Sequence, residues 1–309
     1  MIRCVFMGSS HFSLPALSLL AAADEVELVA VVTQPDRPSG RNRTLKPGPV
    51  HALAGTLGLT VHMPERLAEV SAVHALAEVR PDVIVVASYG QFIPRPVREL
   101  PPLGIVNIHP SLLPKYRGAA PMQWALANGD TETGVTLFHI EKEMDAGDII
   151  LQEPFAIDPA DNGCTLEEKL SVFGAKVMLR AVRMLASGTA PRHPQDHRAA
   201  TYAPKLTKEQ GHLDWSLPAD ILHNRIRGYQ PWPGCYTFRQ GARLRIWRSE
   251  LEAGDGVPGS VISAGRDGLV LAAGQGALRL IEVQPEGKSR MPTSAYLLGH
   301  PMSPGDQMG

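Results

Sequence analysis

Asn107 and His109 stand two residues apart at the end of an apolar run, 104–108, in the stretch Asn107-Ile108-His109-Pro110-Ser111. If that run is a strand, its two-residue period turns both side chains to the same side. Pro110 removes a backbone N–H and biases the residue before it toward an extended shape, which holds His109. An acidic candidate, Asp145, lies in Met144-Asp145-Ala146-Gly147-Asp148, just ahead of the apolar run Ile149-Ile150-Leu151. An amide, an imidazole and a carboxylate suit acyl transfer to an amine. The amine must lose a proton to attack, and the tetrahedral intermediate carries negative charge on the former carbonyl oxygen. The Asn107 amide and an N–H of His109 can both face that oxygen. A buried Asp145 carboxylate near His109 would favour the imidazolium and relay the amine proton, directly or through water. Taken alone, the three residues leave the assignment open, since Asn-x-His-Pro occurs by chance and Asp145 is one of 31 acidic residues. A metal site is the weaker reading, because His109, His139 and Asp145 have no diagnostic ligand spacing.

Such residues need a scaffold. Runs at 2–7, 28–32, 83–87 and 104–108 are rich in β-branched residues and read as strands, with helical patterns between them at 14–23, 50–57 and 72–79. Strands apolar on both faces imply a parallel sheet covered by helices. The fold class expected is α/β: an open, mostly parallel, Rossmann-like sheet with helices on both faces. In such sheets ligands collect beyond the C-terminal strand ends, near the reversal of strand order. The turn Gly8-Ser9-Ser10 after the first strand lacks GxGxxG, so it is a poor dinucleotide site. Residues 166–186 carry an apolar stripe at helical spacing, through Leu166, Leu170, Phe173, Val177, Ala181 and Met184. Residues 187–200 lose all pattern and read as a linker. After a helical stretch at 219–227 come five short strand-like runs broken by turns, which suggest a small carboxy-terminal β-barrel, OB-like in kind. The expected division is 1–188, a linker at 189–206, and 207–309.

Composition excludes some classes. No run approaches the roughly 20 apolar residues that span a bilayer, and Cys4, Cys164 and Cys235 are too scattered for a zinc knuckle or redox pair. An odd, sparse set of cysteines points to a reducing cytoplasm. The net charge of −1 does not advertise a nucleic-acid partner. One segment is different: residues 34–50, QPDRPSGRNRTLKPGPV, place Arg37, Arg41, Arg43 and Lys46 on a proline- and glycine-rich loop with Asp36 as the single acid. That loop reads as solvated surface, or as a grip for phosphates.

The stretch 107–124, NIHPSLLPKYRGAAPMQW, resembles the active-site signature of the folate-dependent formyltransferase/hydrolase family, and Thr133-Gly134-Val135-Thr136 and Asp145-Ala146-Gly147-Asp148 match in order and spacing. The resemblance implies that Asn107, His109 and Asp145 are catalytic and that the donor is 10-formyltetrahydrofolate. It also implies folate contacts from Ser88, Tyr89, Gly90, Gln91, Phe92 and Ile93, and from Ser111, Leu112, Leu113 and Pro114 together with Asp145. Residues 34–41, Tyr202-Ala203-Pro204-Lys205-Leu206, 226–234 and 287–291 resemble the members that formylate initiator methionyl-tRNA. In that reading Arg37, Arg41, Arg43 and Lys46 hold tRNA phosphates and the barrel is a tRNA-binding domain, touching RNA through charges such as Arg239, Arg243, Arg245 and Arg248. Neither a metal nor an obligate protein partner is implied. The rival acceptor is an amino-sugar nucleotide. A non-catalytic RNA-binding protein and a hydrolase using water are the further alternatives.

Overall fold

The computed structural model describes residues 1–39 and 44–309, and the chain divides into two compact units. The first comprises Met1–Gly118, Glu132–Ala156 and Glu167–Tyr202. Its sheet has seven strands: β1 (Ile2–Gly8), β2 (Val26–Val32), β3 (Val61–His62), β4 (Val83–Ala87), β5 (Ile105–His109), β6 (Glu132–His139) and β7 (Ile149–Ala156). Their order is β3-β2-β1-β4-β5-β6-β7, with the first five parallel and β6 and β7 antiparallel. Strand order reverses between β1 and β4. Every residue of β4 is buried, which is why its sequence is an unbroken apolar run rather than an alternation. Val5, Met7, Ile84 and Val86 pack with Leu76 from the helix Val70–Glu78 and with Val97 from Arg95–Arg98 in one core cluster.

The segment 189–202 is not a free linker. It packs in the first unit, where His193 bridges Ile149 and the Thr201 carbonyl accepts the Arg117 N–H at 2.8 Å. These bonds reach distant residues, so they leave no local period to read.

The second unit comprises Ala119–Thr131, Ile157–Leu166 and Ala203–Gly309. Its sheet contains β8 (Cys235–Arg239), β9 (Ala242–Glu252), β10 (Val261–Gly265), β11 (Gly268–Ala272), β12 (Ala277–Pro285) and β13 (Met291–Pro292). The order is β8-β9-β12-β11-β10, antiparallel throughout, with β13 on β12. The Met308 N–H bonds to Gly259 beside β10, while the Gly309 N–H bonds to Phe238 of β8, so one short segment ties both edges and curls the sheet toward a barrel. Leu222 and Ile226, from the helix Ala219–Gly228, pack with Leu244, Ile246, Leu269 and Leu280 of the sheet. That helix also lies against the helix Pro121–Ala127 of the same unit. A Cβ at Gly228 would sit 2.9 Å from the Ala127 nitrogen, so the close approach needs a glycine.

Candidate active site

β5 carries Asn107 and His109 at its C-terminal end, with Asn107 opposite Val86 of β4 and His109 opposite Thr136 of β6. The two residues share a face by strand period. His109 is 4% exposed, and Phe138 meets its ring edge-on at 6.3 Å. His109 Nε2 lies 2.9 Å from the Tyr116 carbonyl oxygen. A carbonyl only accepts, so Nε2 carries a proton and donates it. The other ring nitrogen, Nδ1, lies 3.9 Å from Asp145 Oδ2. Asn107 is half-buried, and no hydrogen bond of its amide to another described residue is present.

Asp145 arrives from the turn between β6 and β7. Its φ of +53° lies in the left-handed region, which Asp tolerates better than most residues do but at some cost. Two sets of contacts hold it there. Its Oδ2 accepts the Gly118 N–H at 2.8 Å. Gln195 Nε2 donates to the Asp145 carbonyl at 2.9 Å and the Gly147 carbonyl at 2.8 Å. A Cβ at Gly147 would overlap the His139 carbonyl oxygen, so glycine is what lets the turn close against β6. His139 itself is a core residue. Burial, with the neighbouring Arg192 charge, pushes its pKa down to about 4 against the opposing pull of Asp148. Among the described residues no group of three or more His, Cys, Asp or Glu side chains could hold a metal ion.

The residues expected around a folate divide by what their side chains do. Ser88 and Gly90 have φ of +48° and +80°, which makes the 88–90 stretch a tight turn after β4. Tyr89, Ile93, Ser111 and Leu113 are buried, and their side chains are committed to packing. Burial lifts the Tyr89 phenol to about 12. The Gln91 amide ties the turn to the 64–67 segment, accepting from Leu67 N at 3.0 Å and donating to the Pro64 carbonyl at 3.2 Å. Phe92 is 72% exposed, while Leu112 and Pro114 are half-buried. Thr136 and Gln152 brace the 111–114 wall: Thr136 Oγ1 donates to the Ser111 carbonyl at 2.6 Å, and Gln152 Nε2 donates to the Leu113 carbonyl at 2.8 Å.

In the basic loop, Pro38–Ser39 pairs antiparallel with Thr44–Leu45. Asp36 fastens its base, accepting from the Gly48 N–H at 2.8 Å and pairing with His51 Nδ1 at 2.9 Å. Arg37 is exposed and pairs with Glu65 at 2.9 Å, and Lys46 is exposed; Arg41 and Arg43 lie outside the described residues. In the second unit, alternate residues of β9 form a basic and aromatic face. The Arg243 guanidinium stacks 3.8 Å from the Tyr236 ring centre, and Arg245 and Arg290 lie 4.0 and 4.6 Å from that of Trp247. Arg239 donates to the Pro301 carbonyl, and Arg248 is exposed beside Glu250. Sequence reasoning missed Gln195 and Trp247, and took Arg290 only as part of the 287–291 resemblance. Trp247 and Arg290 carried the residue types of such a face, but strand register was needed to join them; nothing local marked Gln195.

Residues 2–182 match the formyl transferase family, and residues 205–301 match the family described as formyl transferase, C-terminal domain. A methionyl-tRNA formyltransferase of Moorella thermoacetica is 44% identical, covering 100% of this chain and 99% of its own length. One from Desulfotalea psychrophila is 45% identical over 96% of this chain and 93% of its own. Among solved structures, an N-formyltransferase from Helicobacter canadensis, in complex with folinic acid and dTDP-3-aminofucose, superposes with a TM-score of 0.69 at 17% identity, covering 91% of this chain and 99% of that one. HypX from Aquifex aeolicus, in complex with tetrahydrofolic acid, gives a TM-score of 0.64 at 17% identity over 100% of this chain and 50% of that one. At those identities the structural likeness concerns the fold. The sequence matches reach further: they run through both units, and the chain belongs to the formyl transferase family.

Proposed function

We propose that this chain transfers the formyl group of 10-formyltetrahydrofolate to the free amino group of initiator methionyl-tRNA. The observation that carries the reading is the end-to-end match, at 44% identity, to a relative named methionyl-tRNA formyltransferase. The geometry supplies a chemistry for it. The amine nitrogen attacks the formyl carbon, and the carbonyl oxygen becomes an oxyanion faced by the Asn107 amide and, when the ring is protonated, by Nδ1–H of His109. Asp145 takes the amine proton, directly or through one water. The bond from the formyl carbon to folate N10 then breaks, and N10 leaves with a proton as tetrahydrofolate while the formamide stays on the methionyl group. Ser88, Gly90, Phe92, Leu112 and Pro114 line the folate, with the backbone of Tyr89, Gln91, Ile93, Ser111 and Leu113 behind them. Arg37, Arg41, Arg43 and Lys46 hold the tRNA backbone, and the β9 face of the second unit adds further RNA contacts. The cytoplasm is the expected setting, and no described helix is long and apolar enough to cross a membrane.

The test is a paired acceptor assay. Formyl transfer from 10-formyltetrahydrofolate is measured to charged initiator methionyl-tRNA and to an amino-sugar nucleotide. A rate on the sugar several hundred times the rate on tRNA overturns the acceptor assigned here. Formate release without any amine acceptor points instead to hydrolysis.

A further inference from the structure

Arg117 is 3% exposed, and among the described residues it pairs with no carboxylate. A guanidinium has five donors and stays charged, so burying it without an acid partner is costly unless neutral acceptors surround it. Here the acceptor is Gln195, itself 6% exposed, whose Oε1 takes two hydrogen bonds, 3.1 Å from Arg117 Nε and 2.6 Å from Nη2. Nη1 adds a longer contact to His197 Nδ1 at 3.4 Å. This fork fixes which end of the Gln195 amide is oxygen. Its nitrogen must then point the other way, where it meets the Asp145 and Gly147 carbonyls. The next residue after Arg117, Gly118, donates to the Asp145 carboxylate. Asp145 is thus gripped at its side chain and at its peptide by two groups that are themselves joined, while its backbone sits at a strained φ.

We infer that Gln195, oriented by Arg117, is a positioning residue for formyl transfer: it holds the Asp145 turn so that the carboxylate faces His109 Nδ1. The inference rests on Asp145 acting in the reaction. Removing the clamp releases the φ of Asp145 toward commoner values and swings its carboxylate off His109. A displacement of about an ångström at a reacting group costs on the order of 100-fold in rate. Gln195 reaches the site only through the turn, so its loss acts on kcat and on donor binding only as far as Asp145 itself contributes to each.

Glu at 195 separates this role from a purely structural one. A carboxylate still accepts from the Arg117 fork, and more strongly, but its second oxygen faces two carbonyl oxygens and can donate to neither. A residue that merely satisfies a buried arginine loses nothing by Q195E. A positioning residue loses its function. Steady-state kinetics on the full chain are measured for wild type, Q195E and D145N, alongside thermal melts. Expected for Q195E is a fall in kcat of about 10- to 100-fold, KM for tRNA within about threefold, and a melting temperature close to wild type. Wild-type kcat in a stably folded Q195E overturns the inference. If Q195E melts far below wild type, R117K decides: it keeps the buried charge but not the fork, and unchanged kcat in it overturns the inference. D145N separates the two levels. Full activity in D145N removes the reading beneath, whereas an inactive D145N beside a fully active Q195E sinks the clamp alone.

Discussion

The Asn107–His109–Asp145 cluster and the arginine–aromatic face of β9 are built on opposite plans. In the first, each group has few partners and each partner is defined. His109 has one carbonyl at 2.9 Å and one carboxylate at 3.9 Å, and the ring is all but closed off from water. In the second, three arginines lie against two aromatic rings, and those rings are only partly covered. A buried, low-dielectric site magnifies each interaction, whereas exposed charges are screened by salt and can substitute for one another. Substitutions should therefore act very differently in the two places: steeply and singly in the first, weakly and in proportion to salt in the second.

The largest effect is expected at His109. His109→Ala removes the ring beside Asp145 that the proposed reaction places at the oxyanion, and kcat should fall by about 10²- to 10⁴-fold, with tRNA affinity near wild type in a filter-binding or anisotropy titration. Asn107→Ala, deleting one donor to the oxyanion of the proposed reaction, should cost on the order of 10²- to 10³-fold in kcat. A loss of tRNA binding matching the loss of turnover would erase the distinction between the two regions.

His139 gives the buried region a pH signature. Its pKa is depressed to about 4 from the ordinary imidazole value of 6.5, so between these values the unfolded chain binds a proton that the folded chain refuses. Stability from this group is therefore full above pH 6.5 and declines as pH falls toward 4, by an amount on the order of 2–3 kcal/mol. Chemical denaturation at pH 7 and pH 4.5 should show a larger drop for wild type than for His139→Gln. Equal drops would mean that the ring is not held neutral by its surroundings.

How far the two regions could be read in advance follows from the same contrast. Asn107 and His109 were legible because a two-residue period and Pro110 are local signals. The seven-stranded order was half legible: β1, β2, β4 and β5 announce themselves as apolar runs, while β6 mixes Glu132, Thr133 and Gly134 into its start. Asp145 was offered from the residues only as one acidic candidate, and the resemblance was needed to join it to Asn107 and His109, since its place is set by a turn with positive φ and by bonds to Gly118 and Gln195. Gln195 was invisible for the same reason. Its partners lie 48 to 78 residues away, and a stretch that hydrogen-bonds to distant backbone rather than to itself carries no period.

Smaller effects belong to the basic loop. Arg37→Ala and Lys46→Ala remove exposed charges, and Arg41→Ala removes a positive charge at a position outside the described residues. Each should raise KM for tRNA by roughly three- to tenfold and reduce the salt slope of binding by about 1, leaving KM for the folate donor unchanged. Equal changes in both KM values would contradict a loop dedicated to RNA. Asp36→Ala sharpens the point by leaving every positive charge in place while releasing the loop's base. A rise in KM for tRNA there, without a change in salt slope, would show that loop shape contributes separately from charge.

The smallest effect should come from Arg290→Ala. Trp247 keeps Arg245 over its ring when Arg290 is gone, so both the aromatic platform and a neighbouring cation survive. Affinity for tRNA should drop only about two- to fivefold at moderate salt, with the salt slope lower by about 1, and kcat at saturating tRNA should not move. Arg243→Ala should behave alike, and the two together should be close to additive, because their guanidinium groups stack on different rings. A single substitution on this face that abolished tRNA binding would mean that one arginine there is as individually indispensable as His109, and the contrast between the regions would fail at its exposed end.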